Sequence, residues 1–266
     1  MVDFNQKPFY NIDDLKEIIS LLRSPGGCPW DKEQTHESIR MNFIEEVYEA
    51  IEAIDKNDSE LLREELGDVL MQVVFHCQLS EEESDFNFDE VCDEVCKKLI
   101  IRHPHVFGNI NVSDTGEVLN NWEAIKQQTK GQTTYTETLE SVAVSLPALM
   151  RAQKVGKRAA KSGFDFTGTG DNFEKLKSEV EELQEAIKNG DKKSASEELG
   201  DILFCCTNMA RAMQVDSEEL LTNATEKFIN RFAQMENQIL KDNKNMKDLN
   251  LEQLDEYWNQ VKQQEN

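Results

Sequence analysis

Two acidic pairs, each spaced i,i+3, flank a short polar turn, and few folds accommodate that pattern. The stretch from Asn42 to Cys77 reads NFIEEVYEAIEAIDKNDSELLREELGDVLMQVVFHC, with the pairs Glu46/Glu49 and Glu65/Asp68. On a helix, an i,i+3 pair projects from one side, one turn apart. Lys56-Asn57-Asp58-Ser59 interrupts the pattern, and Asp58 or Ser59 can cap the helix that follows. The layout is that of two helices folded back as an antiparallel hairpin. Counted outward from the turn, the acidic residues lie about 8 and about 11 positions away on either side, so Glu49 is expected to face Glu65 and Glu46 to face Asp68. Four carboxylates then converge, and their summed repulsion rivals the marginal stability of a domain. Raised pKa values relieve part of this; a bound cation relieves more.

A solvated acidic helix face would explain one such pair. It explains two copies less well. Adding 133 to each position gives Glu179, Glu182, Glu198 and Asp201, in EVEELQEAIKNGDKKSASEELGDILF, with Asn189-Gly190-Asp191 as the turn. Further matches sit at nearby offsets: Asp31 with Asp165 at 134, Lys98 and Arg102 with Lys227 and Arg231 at 129, and Trp122 and Lys126 with Trp258 and Lys262 at 136. The offset drifts between helices, where insertions belong. The chain therefore reads as a tandem repeat of one helical domain, with repeats over 1–128 and 139–266. Residues 129–138, TKGQTTYTET, are the expected linker, because Gly and Thr lower helix propensity.

Helical periodicity is expected over 10–22, from about 37 through the acidic hairpin, over 88–101 and over 114–128. Ile44, Val47, Ile51 and Ile54 are the expected buried positions of the first acidic helix, and Leu62, Leu66, Val69, Val73 and Cys77 those of the second. Ser24 to Asp31 is expected as a loop pinned by Trp30 and Asp31, and Pro104 ends the helix before it. No segment alternates with period 2, so the fold class is all-α.

A net charge of −23 over 266 residues argues against nucleic acid and anionic membranes as partners. No apolar run reaches the ~18 residues that span a bilayer, and MVDFNQKPFY lacks a signal-peptide core. None of the six cysteines forms a CxxC pair, and Cys92 and Cys96 read as core residues of a helix. Together these features indicate a reducing cytoplasm.

The clustered ligands are carboxylates only, and the four histidines show no ExxH spacing. Oxygen-only ligation suits Mg²⁺ or Mn²⁺, which complete their shells with water and substrate phosphates. A phosphoanhydride substrate follows, and no P-loop is present. Lys98/Arg102 and Lys227/Arg231, each i,i+4, can clamp phosphates or simply form basic faces. Trp122 and Trp258 can stack on a base or pack in a core. His103 and His105 flank a proline and read as structural.

The acidic pairs, the ELGD at 65–68 and 198–201, CPWDKEQT at 28–35, RHPHVF at 102–107 and SLPALMRAQK at 145–154 together closely resemble the MazG nucleoside triphosphate pyrophosphohydrolases, in their two-repeat form. The resemblance implies helical-bundle domains, a homodimer, and Mg²⁺-dependent hydrolysis of nucleoside triphosphates to monophosphate and pyrophosphate. Carried over, it makes Glu46, Glu49, Glu65 and Asp68, and Glu179, Glu182, Glu198 and Asp201, metal ligands. It implies nucleotide contacts by Lys175, Lys227, Arg231, Trp258 and Lys262, with Lys98, Arg102 and Trp122 as the first-repeat counterparts. The family's motif opens with two acidic residues; the first copy has Glu45-Glu46, the second Ser178-Glu179. Basic residues Lys154, Lys157, Arg158, Lys161 and Lys175 enrich the second copy, and Asn42 stands where Lys175 maps. The second copy is therefore the expected catalytic site, with attack of water at the α-phosphorus. The first is active, binds nucleotide without turnover, or is structural. For the chain as a whole, the rivals are a non-catalytic Mg-nucleotide-binding regulatory protein and a purely structural acidic repeat.

Overall fold

The computed structural model describes residues 2, 4–129, 131–165 and 168–264; Lys130, inside the expected 129–138 linker, lies outside the described residues. Among the described residues the structure is all helical, without strands. It divides into two compact units, Met1–Lys126 and Gln127–Asn266.

In the first unit, α1 (Ile12–Arg23) starts at a capping box: the Asn11 side chain takes the Asp14 amide N–H, and Asp14 takes that of Asn11. A short α2 (Pro29–Glu33) occupies the end of the expected loop, with Pro29 at its first position, where a missing N–H is harmless. The acidic hairpin is α3 (Arg40–Asp55) and α4 (Ser59–Glu82). Asn57 makes the reversal at φ 54°, and Asp58 accepts the amide N–H groups of Glu60 and Leu61, each at 3.1 Å. α5 (Phe88–Arg102) ends at His103, and α6 (Pro104–Phe107) restarts on the proline. α7 (Thr115–Thr129) completes this part of the chain. The core gathers Ile19, Ile39, Val74, Phe75 and Leu79 between α1 and α4.

Trp30 does not pin the α1–α2 connection, being 59% exposed. Arg23 does. Its Nε and Nη2 hold Glu82 at 2.8 and 2.7 Å, and its Nη1 donates to the carbonyls of Asp31 and Gln34. Beside this brace, His36 and His76 stack with Nδ1 atoms 2.7 Å apart. Burial, and then the neighbouring His36, lower the His76 pKa.

Early in the second unit, α8 (Tyr135–Glu140) starts inside the segment expected as linker and runs past its end at 138. Thr134 and Glu137 form its capping box, so here a threonine starts a helix instead of suppressing one. α9 (Ala148–Lys161) packs on α11, and α10 (Thr169–Lys188) with α11 (Lys192–Ala212) forms the second acidic hairpin. Gly190 turns it at φ 69°, where a Cβ would be strained, and Asp191 caps α11. α12 (Ser217–Lys241) and α13 (Leu251–Gln264) close around Met235, Ile239, Tyr257 and Val261. Ile239→Ala should destabilise this unit by about 2–5 kcal/mol. Urea unfolding followed by tryptophan fluorescence checks it, since Trp258 packs on the same cluster; a loss below ~1 kcal/mol would contradict the packing.

The burial pattern of α3 corrects the sequence expectation. Ala50 and Ala53 are its buried residues, whereas Ile44, Val47, Ile51 and Ile54 stay exposed, Ile54 at 56%. Leu66 on α4 is also exposed. The small alanines let α3 approach α4 closely, and the large apolar stripe lies on an adjacent face. The second unit repeats this: Val180, Ile187, Leu199 and Leu203 are exposed at the positions of Val47, Ile54, Leu66 and Leu70, all offset by 133. Cys96 is exposed and Cys92 half-buried, so the pair is not core; all six cysteines are free.

Candidate functional site

The two hairpins bring their glutamates together. In the first, one carboxylate oxygen from each of Glu46, Glu49 and Glu65 lies within 4.8 Å of the others; in the second, Glu179, Glu182 and Glu198 do the same. Asp68 and Asp201 stand outside these close trios yet act on them. Burial raises the Glu46 pKa first, then the charges of Asp68 and Glu49. Burial also leads at Glu65, followed by Glu49 and Asp68, and at Glu198, followed by Glu182, Glu179 and Asp201. Glu49 thus meets Glu65, and Glu46 feels the charge of Asp68 from outside the trio.

The two clusters differ in what relieves them. In the second, Lys175 forms an ion pair with the buried Glu179 from one turn before it, which raises the Lys175 pKa. In the first, Asn42 takes the place of Lys175, and the Gln72 side chain beside Glu46 lowers its pKa against the larger effects of burial, Asp68 and Glu49. Ser178, where the first copy has Glu45, donates to Glu182 at 3.0 Å. The leading carboxylate is thereby replaced by a donor that holds Glu182 in place.

A cavity of about 330 Å³ opens beside the second cluster, at the small end for ligand sites. Glu179, Asp201 and Lys175 line one part; Asn208, Arg211 and the Gly163–Asp165 loop line another. Phe164 on that loop is 80% exposed. On the 133 offset, Phe75 stands in the first unit where Asn208 does, and it is a buried core residue.

Of the residues expected as nucleotide contacts, Trp258 meets Phe228, the neighbour of Lys227 on α12, at 5.2 Å, and Lys262 follows one turn beyond Trp258 on α13. In the first unit the Arg102 guanidinium lies 5.4 Å over Trp122, and His103 meets the same ring edge-on at 4.7 Å. Lys98 is exposed one turn before Arg102. His103 Nδ1 also lies 2.6 Å from the Leu99 carbonyl, a helix-end bond.

The MazG nucleotide pyrophosphohydrolase domain matches residues 34–107 and 170–235, covering both acidic hairpins. The chain belongs to the MazG family. The nucleoside triphosphate pyrophosphohydrolase of Escherichia coli (strain K12) is 42% identical over 257 residues, spanning 96% of this chain and 98% of that protein. The nucleoside triphosphate pyrophosphohydrolase/pyrophosphatase MazG of Thermotoga maritima is 42% identical over 250 residues, 94% of this chain and 95% of that one. The uncharacterized protein YabN of Bacillus subtilis (strain 168) is 41% identical over 258 residues, 97% of this chain but 53% of its own length.

Within this MazG chain, the sequence reading did not single out Asn208, Arg211 or Gln72. Their common signal was available. On the 133 offset, Gln72, Phe75 and Gln78 become Cys205, Asn208 and Arg211, so the two repeats diverge where the acidic helix passes its carboxylates.

Proposed function

We propose that this chain hydrolyses nucleoside triphosphates to nucleoside monophosphate and pyrophosphate, at the acidic site of its second repeat. The observation that carries the reading is the pairing of a three-carboxylate cluster with an adjoining cavity in α9–α11. Family membership and the names of the full-length relatives support it.

Glu179, Glu182, Glu198 and Asp201 would hold Mg²⁺ or Mn²⁺, and the oxygen-only donor set fits such hard cations. When bound, the cation lowers the pKa of water and offsets charge on the phosphates. Lys175 pairs with Glu179 and neutralises part of the cluster. Lys227, Arg231 and Lys262 supply phosphate contacts in an otherwise strongly acidic chain, and Trp258 backs them. A glutamate of the cluster orients or deprotonates the water that attacks the α-phosphorus, and pyrophosphate departs. Product identity tests this reading: monophosphate and pyrophosphate are expected, and diphosphate with orthophosphate would overturn it.

In the first repeat, Glu46, Glu49, Glu65 and Asp68 would hold a cation, with Lys98, Arg102 and Trp122 as the counterpart nucleotide contacts. Phe75 and Asn42 replace the cavity residue and the neutralising lysine there, which favours binding without turnover. Free cysteines throughout are in keeping with a reducing cytoplasm. Among the described residues no helix is long and apolar enough to cross a membrane.

The exposed apolar stripes on both hairpins support a homodimer, each stripe covered by a second copy of the chain. Replacing Ile51, Ile54 and Ile187 together by lysine should convert a two-chain particle to a one-chain particle in sedimentation. A wild-type chain that sediments as a monomer at micromolar concentration would contradict this.

A further inference from the structure

We propose that Arg211 is a positioning residue that sets nucleobase selectivity, through Asn208 and the Gly163–Asp165 loop. The inference rests on the hydrolase reading above and concerns the wall of the same cavity away from the carboxylates.

Three observations converge on Arg211. Its Nη1 and Nη2 both bind the Asp165 carboxylate, Nη1 at 3.0 Å, and its Nε donates to Asn208 Oδ1 at 3.4 Å. The guanidinium fork is thereby engaged inside the protein, which argues against a phosphate clamp. Second, Asn208 Oδ1 sits where a side chain on Gly156 would be: a Cβ there would come within 2.3 Å. Gly156 is thus the space that lets the amide lie against α9. Third, Asp165 follows Phe164 in the loop lining the cavity, so the ion pair ties that loop to α11.

The chemistry follows from which amide atom is engaged. With Oδ1 held by Arg211 against Gly156, the donor capacity left to Asn208 is its NH₂ group. A donor in a cavity wall pairs with an acceptor and leaves an opposing amine unpaired. At purine C6 or pyrimidine C4, guanine and uracil carry a carbonyl where adenine and cytosine carry an amine. The site therefore favours nucleoside triphosphates whose base turns a carbonyl toward α11. The first repeat, with Phe75 and Gln78 at these two positions, has no such wall.

The experiment is steady-state hydrolysis of GTP, UTP, ATP and CTP with Mg²⁺ by wild type, Arg211→Gln and Asp165→Asn. Gln is the residue the first repeat carries at that position. Wild type should favour GTP and UTP over ATP and CTP by about tenfold in kcat/KM, and Arg211→Gln should bring that ratio close to one, mainly through KM for the favoured pair. Asp165→Asn should shift the ratio in the same direction and serves if Arg211→Gln fails to fold. A Mn²⁺-dependent rise in Tm shows that a variant is folded with its carboxylates intact. A ratio near one in wild type overturns the inference. So does a ratio unchanged in the variants, or a kcat lost equally for all four nucleotides. No turnover by folded wild type would bring down the hydrolase reading and this inference together; turnover with an unchanged ratio would bring down this inference alone.

Discussion

Glu182→Gln should reduce nucleoside triphosphate hydrolysis by about 10³-fold, with Asp201→Asn of similar effect, while Glu49→Gln in the first repeat leaves most of the rate. Glutamine keeps the volume of Glu182 and can still accept from Ser178, which donates to that side chain at 3.0 Å. It removes a negative charge from a trio packed within 4.8 Å, so metal-free Glu182→Gln should melt no lower than wild type. The loss is then a loss of cation binding and phosphate stabilisation, not of fold. Steady-state rates beside melting curves separate the two. If Glu182→Gln and Asp201→Asn both keep near wild-type rates with the first repeat also disabled, the site assignment is wrong. If Glu49→Gln alone removes activity, the working site is in the first repeat.

The second large effect is a pH-dependent stabilisation by Mg²⁺ or Mn²⁺. Glu46, Glu65 and Glu198 have pKa values raised by burial first and by neighbouring carboxylates second. A carboxyl whose folded pKa exceeds its unfolded value binds more protons in the native state. Its contribution to stability therefore falls as pH rises from the ordinary glutamate range through the raised folded value. A cation binds the ionised form and removes that penalty. At a free concentration a hundredfold above Kd, each site adds about 2.7 kcal/mol. The metal-induced rise in Tm should be small near the ordinary glutamate pKa and should grow as pH rises above it. Taking the difference with and without metal cancels the acid sensitivity of groups shifted the other way. Glu82, held below the carboxylate range by Arg23, is one, and Asp14 beside Lys7 is another. Melting curves across pH, with metal and with chelator, check this. A metal shift that does not change with pH, or that shrinks as pH rises, would contradict it.

What the sequence made legible follows the range of the interactions. The acidic hairpins were readable because helix period and turn chemistry act over a few residues. Asp58 caps where expected, Asn189-Gly190-Asp191 makes the expected turn, and Glu49 meets Glu65 as the count from the turn requires. The α8 helix was missed: Thr134 and Glu137 stand at capping-box spacing, but the run of threonines reads as a linker. The exposure of Ile51 and Ile54 was not readable, because periodicity marks an apolar face without naming its neighbour. The cavity beside the second cluster was hidden for a different reason. Gly156, Asp165 and Arg211 come from separate segments, and their meeting depends on how α9 packs on α11. The asymmetry of the repeats was only half visible: Lys175 against Asn42 stood out as charge, whereas Asn208 against Phe75 needed the structure to become an open wall against a filled core.

The most direct test of the central claim is hydrolysis of a nucleoside triphosphate in ¹⁸O-labelled water, followed by mass spectrometry of both products. Attack at the α-phosphorus predicts one ¹⁸O in the nucleoside monophosphate and none in pyrophosphate. Label in pyrophosphate would place the attack at the β-phosphorus and contradict the mechanism proposed for the second repeat.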